Sequence, residues 1–241
     1  MASWIVHLRV AEYLLGKIPQ LDEAIFAIGN IAPDSGIPDE NWEHFNPPAE
    51  LTHFKPEEPS RFRCADLHFF QKHLLPMRGK EIDLQRFSFL LGYFFHLLTD
   101  NNWGRRVGRP TMERYAERFA ADRLGMWDSV KKDWYGLDHV YVRENPDSLF
   151  WRVFLGCHYE RHDLDFLPIE AVQQRIAYIQ EYFQNDSEEI REMMRGPFVY
   201  LMPQEMDAVV DETADLCIEA YRVLWVEGQD GNGKVSALEI V

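Results

Sequence analysis

One twelve-residue run constrains this chain more than any other: Phe89-Leu90-Leu91-Gly92-Tyr93-Phe94-Phe95-His96-Leu97-Leu98-Thr99-Asp100. It is almost wholly apolar, so it must be enclosed on all sides. It nevertheless carries a histidine and a carboxylate four residues apart. On a helix, positions four apart return to nearly the same face, about 6 Å further along the axis. Asp100 then lies one turn beyond His96, with Tyr93 and Trp103 near the same stripe. Gly92, one turn before His96, leaves a gap through which an ion or ligand could approach. Burying an unpaired charge is expensive, so the pair needs a partner. A His–Asp hydrogen bond within a helical core is one answer. A metal ion is the other, and this stretch alone leaves both open.

Charge and composition narrow the class. The 241 residues are 46% hydrophobic and 14% aromatic, enough for a substantial core and against a disordered chain. The formal net charge of −15, with no long Lys/Arg run, argues against nucleic acid as a partner. Cys64, Cys157 and Cys217 are far apart and form no CxxC pair, which fits reduced thiols in a cytoplasmic protein. No signal peptide and no membrane-spanning run of 18 uncharged apolar residues is legible.

Helical periodicity recurs along the chain. Apolar residues from Trp4 to Leu15 predict a first helix carrying His7, and a second is expected over 21–29, closed by Gly29-Asn30. Asp34 follows in a Pro- and Gly-punctuated loop, where it is either a turn former or a carboxylate aimed at a site. Residues 38–60 read as a long Pro-rich loop carrying His44 and His53. Further helices are expected from Arg61 to Leu75 behind Ser60, from Asp83 through the apolar run to an end or break at Asn101-Asn102 and Gly104, from Thr111 to Leu124, near 127–133, from Ser148 to Tyr159, from Pro168 to Phe183, after Ser187, and from Pro203 to Trp225. Trp134-Tyr135-Gly136 with Asp138-His139 reads as a loop. With no alternating strand pattern, the expected fold is all-α, a multi-helix single domain over 1–226 with a flexible tail over 227–241.

The oddly placed ionisable groups are His7, Asp34, His53, His96 and Asp100. Two histidines and two carboxylates make an ordinary zinc-type ligand set, and His7 could serve a second ion with Asp100 bridging. Paired ions of this kind suit phosphate-ester hydrolysis. In Gly29-Asn30-Ile31-Ala32-Pro33-Asp34-Ser35, in Thr52-His53-Phe54 and above all in Phe89 to Trp103, the chain resembles the bacterial zinc-dependent phospholipase C family, over roughly its first 105 residues. The resemblance implies an all-helical phospholipase C / nuclease-like bundle, with one or two divalent ions (zinc first) held by Asp34, His53, His96 and Asp100, and His7 beside a neighbouring ion. It implies a small-molecule or lipid phosphoester as substrate and a metal-activated water, with Asp34 or Asp100 orienting that water or taking its proton.

Two departures follow. Secreted members ligate a metal through a mature N-terminal Trp, whereas Trp4 is internal here. Where the family pattern has a further His and an HxxxE pair, this chain has Arg106, Arg118 and Asp122; Asp133, Asp138 or His139 are the candidate substitutes. Arg105 and Arg106 are candidate phosphate contacts. Two alternatives stand: a metal phosphohydrolase built on the His162-Asp163 doublet, and a non-enzymatic helical metal-binding protein.

Overall fold

The apolar run forms the middle of a 20-residue helix, and the other elements are arranged to cover it. A computed structural model describes residues 1–40 and 44–241. Its helices of seven or more residues are α1 (Trp4–Leu15), α2 (Glu23–Gly29), α3 (Leu84–Trp103), α4 (Arg123–Glu144), α5 (Ile169–Gln184), α6 (Glu188–Arg195) and α7 (Pro203–Tyr221). Shorter helical turns join them, and about 65% of the chain is helical against 2% strand. Among the described residues, the strand content is one two-residue antiparallel pair, Ile37–Pro38 with Phe45–Asn46. Positions 41–43 of the expected long loop lie outside the described residues.

Asp83 starts α3 by accepting a hydrogen bond from the Arg86 amide, satisfying one of the free amides at the helix start. Every residue from Phe87 to Trp103 is buried. A helix that is apolar all round has to be enclosed, and here α2, α7, α1 and the turn at Asp66–Phe69 enclose it. Among the described residues, no helix is long and apolar enough to cross a membrane.

The tightest contact is α2 on α3. A Cβ at Gly92 would stand 2.5 Å from the Phe26 carbonyl oxygen, and one at Gly29 would collide with the Phe89 carbonyl. The gap expected at Gly92 is therefore filled by the backbone of α2, so this glycine serves helix packing and not ligand entry. The same contact brings the C-terminus of α2, with the Asp34 turn behind it, alongside His96.

Several sequence expectations are corrected. Of the expected end at Asn101-Asn102 and Gly104, only Gly104 closes the central helix; α3 runs through the two asparagines to Trp103, and their buried amides reach across to other elements. Asn101 Oδ1 accepts the Arg63 and Cys64 amides, and Asn102 Nδ2 donates to Thr213 Oγ1. Those bonds hold residues 63–64 non-helical, so the helix expected from Arg61 begins only at Asp66. The loop expected over 134–139 is instead the middle of α4. Asp122 caps that helix on the Gly125 amide, and Gly136 admits the Met193 carbonyl, 2.6 Å from its would-be Cβ. Thr111–Leu124 divides into two turns, Arg109–Arg114 and Ala116–Ala121. Past Arg152 the helix expected to reach Tyr159 stops after four residues.

The stretch 227–241, expected as a mobile tail, folds back onto the domain. Asp66, fully buried, accepts hydrogen bonds from the Ser236 hydroxyl (2.5 Å), the Ala237 amide (2.7 Å) and Asn101 Nδ2 (2.7 Å). The glycines that made this stretch look mobile provide its turns: Gly228, Gly231 and Gly233 all have positive φ, which costs glycine little.

Candidate metal centre

Five side chains from four parts of the chain meet beneath α3's second half. His96 and Asp100 come from α3, and His7 from α1. Asp34 ends the one-turn helix Ala32–Asp34, and His53 follows the short helix Ala49–Thr52. Tyr93 fixes that short helix by donating its hydroxyl to the Thr52 carbonyl at 2.5 Å.

Two histidines have their tautomers set by backbone. His96 Nδ1 lies 2.7 Å from the Asn30 carbonyl, so it donates there. His53 Nδ1 lies 3.2 Å from the Ala49 carbonyl and 3.1 Å from Thr52 Oγ1. Both Nε2 atoms then face inward, the outer-shell arrangement that orients metal-binding imidazoles. They stand 3.3 Å apart. Two lone pairs facing at that distance repel, so a proton or a cation must lie among them.

The remaining distances converge on the same point. His53 Nε2 is 3.2 Å from Asp34 Oδ1 and 3.6 Å from Asp100 Oδ2. His96 Nε2 is 4.0 Å from Asp34 Oδ1 and 3.9 Å from Asp100 Oδ2. One oxygen of each carboxylate and one nitrogen of each imidazole are thus separated by 3.2–4.0 Å along five edges. Bonds of about 2.0–2.2 Å in tetrahedral zinc coordination place ligand atoms about 3.3–3.6 Å apart. These five edges come near that spacing, and Asp34, His53 and His96 together form a group that could hold an ion.

A second group adjoins the first. His7 stacks on His96 with ring centroids 3.8 Å apart and planes 5° from parallel. Its Nε2 is 3.6 Å from Asp100 Oδ1, and neither of its ring nitrogens has a hydrogen bond. Two triads could therefore each hold an ion: Asp34, His53 and His96, and His7, His96 and Asp100. His96 Nε2 has a single lone pair and Nδ1 is engaged, so His96 can serve one ion at a time. Asp100, with an oxygen toward each group, is the residue able to bridge.

The electrostatics suit a cation. Burial opposes ionisation of Asp34, yet its bond to His53 and the nearby His96 hold its carboxyl below the usual range. Asp100 is likewise held well below that range against burial, by the Met1 amino group and His7. Burial pushes His96 down to about 3, so it is neutral with its lone pair free. For His53, burial is outweighed by the bond to Asp34 and its charge, which push it up.

The N-terminal segment enters the site even though Trp4 is internal. The Ala2 amide donates to Asp100 Oδ1 at 2.6 Å, which fixes the buried carboxylate from the side of α1. Trp4 itself sits in the cleft wall.

The other sequence candidates lie elsewhere. Arg105 and Arg106 both pair with Glu212. Arg118 covers the Tyr200 ring, and Asp122 is the α4 cap. Asp133 accepts the Val199 and Tyr200 amides, both at 2.6 Å. Asp138 accepts from Ser3, and His139 packs on Tyr182 and Phe183. The His162-Asp163 doublet is on a non-helical segment. There Asp163 binds Tyr159 and Arg161, while His162 is exposed beside Asp165. Among the described residues, neither doublet residue belongs to a group that could hold a metal. His44 is exposed on its loop.

One feature had no sequence signal. A cleft of about 850 Å³ opens at Asp34 and His53, and its walls combine tryptophans with basic residues drawn from positions 61 to 175. Residues so widely separated form no motif, and only the fold assembles them.

Comparison with known proteins yields no match: no family model, curated protein or solved structure aligns with the chain. The molecule is thus established as an all-helical single domain with buried His/Asp clusters that could bind metal.

Proposed function

We propose that this protein is a metal-dependent hydrolase of phosphate esters, with Asp34, His53, His96 and Asp100 holding one divalent ion, zinc first, and His7 with Asp100 serving a neighbouring one. The observation that carries the reading is the set of five 3.2–4.0 Å separations around one point, made by atoms whose orientation is fixed from outside the site. The donor set, two imidazole nitrogens and two carboxylate oxygens, fits zinc and similar divalent ions. When bound, such ions supply Lewis acidity and make water a nucleophile at neutral pH.

The chain's own residues have separate tasks. His53 and Asp34 retain 8% and 9% side-chain exposure, whereas His96 and Asp100 are fully buried. A substrate entering from the cleft therefore meets Asp34 and His53 first. Asp34 is the carboxylate placed to take a proton from attacking water, and Asp100 links the two groups from beneath. Asn30, Ala49 and Thr52 keep the imidazoles turned inward through their Nδ1 atoms.

The test is zinc content, with hydrolysis of bis(4-nitrophenyl) phosphate, for wild type, His96→Ala and Asp34→Ala. Zinc in wild type, its loss in both variants and turnover in wild type alone are expected. Full retention of metal in both variants would overturn the site. A second reading, a non-enzymatic metal-binding protein, draws on the same geometry, because four protein ligands around one ion is the closed arrangement of structural zinc. Bound zinc without turnover selects it.

A further inference from the structure

The cleft beside the metal centre has a charge opposite to that of the molecule. The chain carries −15 overall. Among the described residues, the cleft is lined by Arg61, Arg63, Arg109, Arg123, Lys131 and Arg175, against a single carboxylate, Asp34. Only Arg61 of these six has a carboxylate within ion-pair distance among the described residues, Glu239 at 3.9 Å. Arginines elsewhere on the surface are commonly neutralised: Arg105 and Arg106 by Glu212, Arg161 by Asp83 and Asp163, Arg191 by Asp186. Unneutralised cations gathered in a concave, low-dielectric wall concentrate the field and draw in anions.

Arg175, on α5, is the most constrained of the six. Its guanidinium lies over the Trp4 ring (5.3 Å) and the Tyr178 ring (5.7 Å). One terminal nitrogen donates to the Gly36 carbonyl at 3.2 Å, which fixes it two residues from Asp34. Its Nε is buried and has no hydrogen-bond partner. A guanidinium presents its donors in a rigid planar fork suited to carboxylate and phosphate. The two ring contacts and the Gly36 bond restrain the position of that fork, and a buried unpartnered donor is costly unless an acceptor arrives. The neighbouring walls are indole: Trp4, Trp103, Trp127 and Trp134 all border the cleft.

We propose that the cleft selects small phosphoesters bearing a second anionic group on an apolar or aromatic body, and that Arg175 receives that second group. The inference rests on the reading that the reacting phosphoryl group is placed at Asp34 and His53. One anionic centre then occupies the metal end of the cleft. The second is held by the Arg175 fork, with the organic body against the tryptophans. The second group can be a phosphate or a carboxylate, since both match the fork. Arg175 acts in this scheme as a specificity-determining residue.

The test measures binding as well as turnover. Methyl 4-nitrophenyl phosphate has one anionic centre; a series of ω-carboxyalkyl 4-nitrophenyl phosphates with two to six methylenes adds a carboxylate at increasing reach. Affinities are read by calorimetry and tryptophan fluorescence in metal-free and zinc-loaded protein, with circular dichroism to check folding. Wild type is expected to prefer the best carboxyalkyl ester by at least tenfold. That ratio should fall to about one in Arg175→Gln, and to an intermediate value in Arg175→Lys, which keeps the charge without the fork. Because the readout is a ratio within one protein, a general loss of affinity does not mimic it, and Arg175→Lys decides if Arg175→Gln does not fold. Equal affinity for mono- and dianionic esters in wild type, or an unchanged ratio in both variants, overturns the proposal. Loss of the metallohydrolase reading would look different: no bound zinc or no turnover, with the dianion preference intact.

Discussion

At the scale of single residues, the site is defined by atoms that point inward because their other side is engaged. His96 cannot swing away without breaking its bond to the Asn30 carbonyl, and His53 is held in the same way by Ala49. His7 differs: it is buried with neither nitrogen bonded, and only its stacking on His96 and the nearby Asp100 fix it. These differences predict graded effects. His96→Ala should abolish tight zinc binding at the four-residue point, whereas His7→Ala should remove at most one ion and leave the other; metal content per chain after gel filtration distinguishes them. Protonation supplies a second prediction. His53 is pushed up by its contact with Asp34, so protons compete with zinc for this nitrogen at higher pH than for a free imidazole. Zinc affinity should fall as the pH is lowered, and calorimetry in buffers of different ionisation enthalpy should show proton release. A binding enthalpy that does not change with the buffer would count against His53 as a ligand.

At the scale of elements, the contact between α2 and α3 sets the geometry. Both Gly29 and Gly92 lie where a side-chain carbon would strike backbone across the interface. Backbone cannot move aside as a flexible side chain can, so Gly92→Ala is expected to cost about 1–3 kcal/mol, typical of an overpacked core. It should also weaken metal binding, because separating the helices draws the Asn30 carbonyl from His96. Urea melts and zinc titration of the same variant would show both effects together. The start of α1 carries a different burden. Asp138, wholly buried in α4, accepts from the Ser3 hydroxyl at 2.8 Å, and burial pushes its carboxyl up to about 7 against that bond and Arg9. The folded pKa lies above the unfolded one, so the stability linked to this group is full below about 4. It is lost as pH rises toward 7, approaching about 1.4 kcal/mol per pH unit in that window. Asp138→Asn removes this ionisation, and the pH dependence of the denaturation midpoint between pH 4 and 7 should flatten by a matching amount.

For the whole molecule, an ion bound at these clusters would be linked to folding. The folded chain brings two ionised carboxylates and two inward-facing imidazoles into a buried volume, and a cation relieves the repulsion there. Anything that binds only the folded state stabilises it by mass action, by about 2.7 kcal/mol at a hundredfold excess over its dissociation constant. For a chain of this length, that corresponds to a rise in midpoint temperature on the order of 5–10 °C. Scanning calorimetry with zinc and with EDTA should show it, and equal midpoints would mean that the cluster takes no ion. The charge pattern also belongs to this scale: a strongly acidic surface surrounds a cleft lined by cations.

The sequence by itself determined the helical class and the central element. An apolar run as long as that around His96 has to be enclosed, and helical spacing places His96 and Asp100 on one face. Asp34, His53 and His7 stood out only when taken together with that pair as a zinc-type ligand set, since each alone also reads as a turn, loop or packing residue. What it misplaced were the points where local signals compete with packing. Gly136 reads as a loop residue yet sits inside α4 to admit the backbone of α6, and Asn101-Asn102 read as helix breakers yet bond across the core. The glycines after Glu227 read as mobility, but buried Asp66 draws Ser236 and Ala237 onto the domain. Only the tertiary structure decided that the five candidate ligands meet at one place, and that cations from Arg61 to Arg175 line one wall. Distances across 40 to 115 residues are fixed by how helices pack, and periodicity in a sequence reports which face is buried without saying against what.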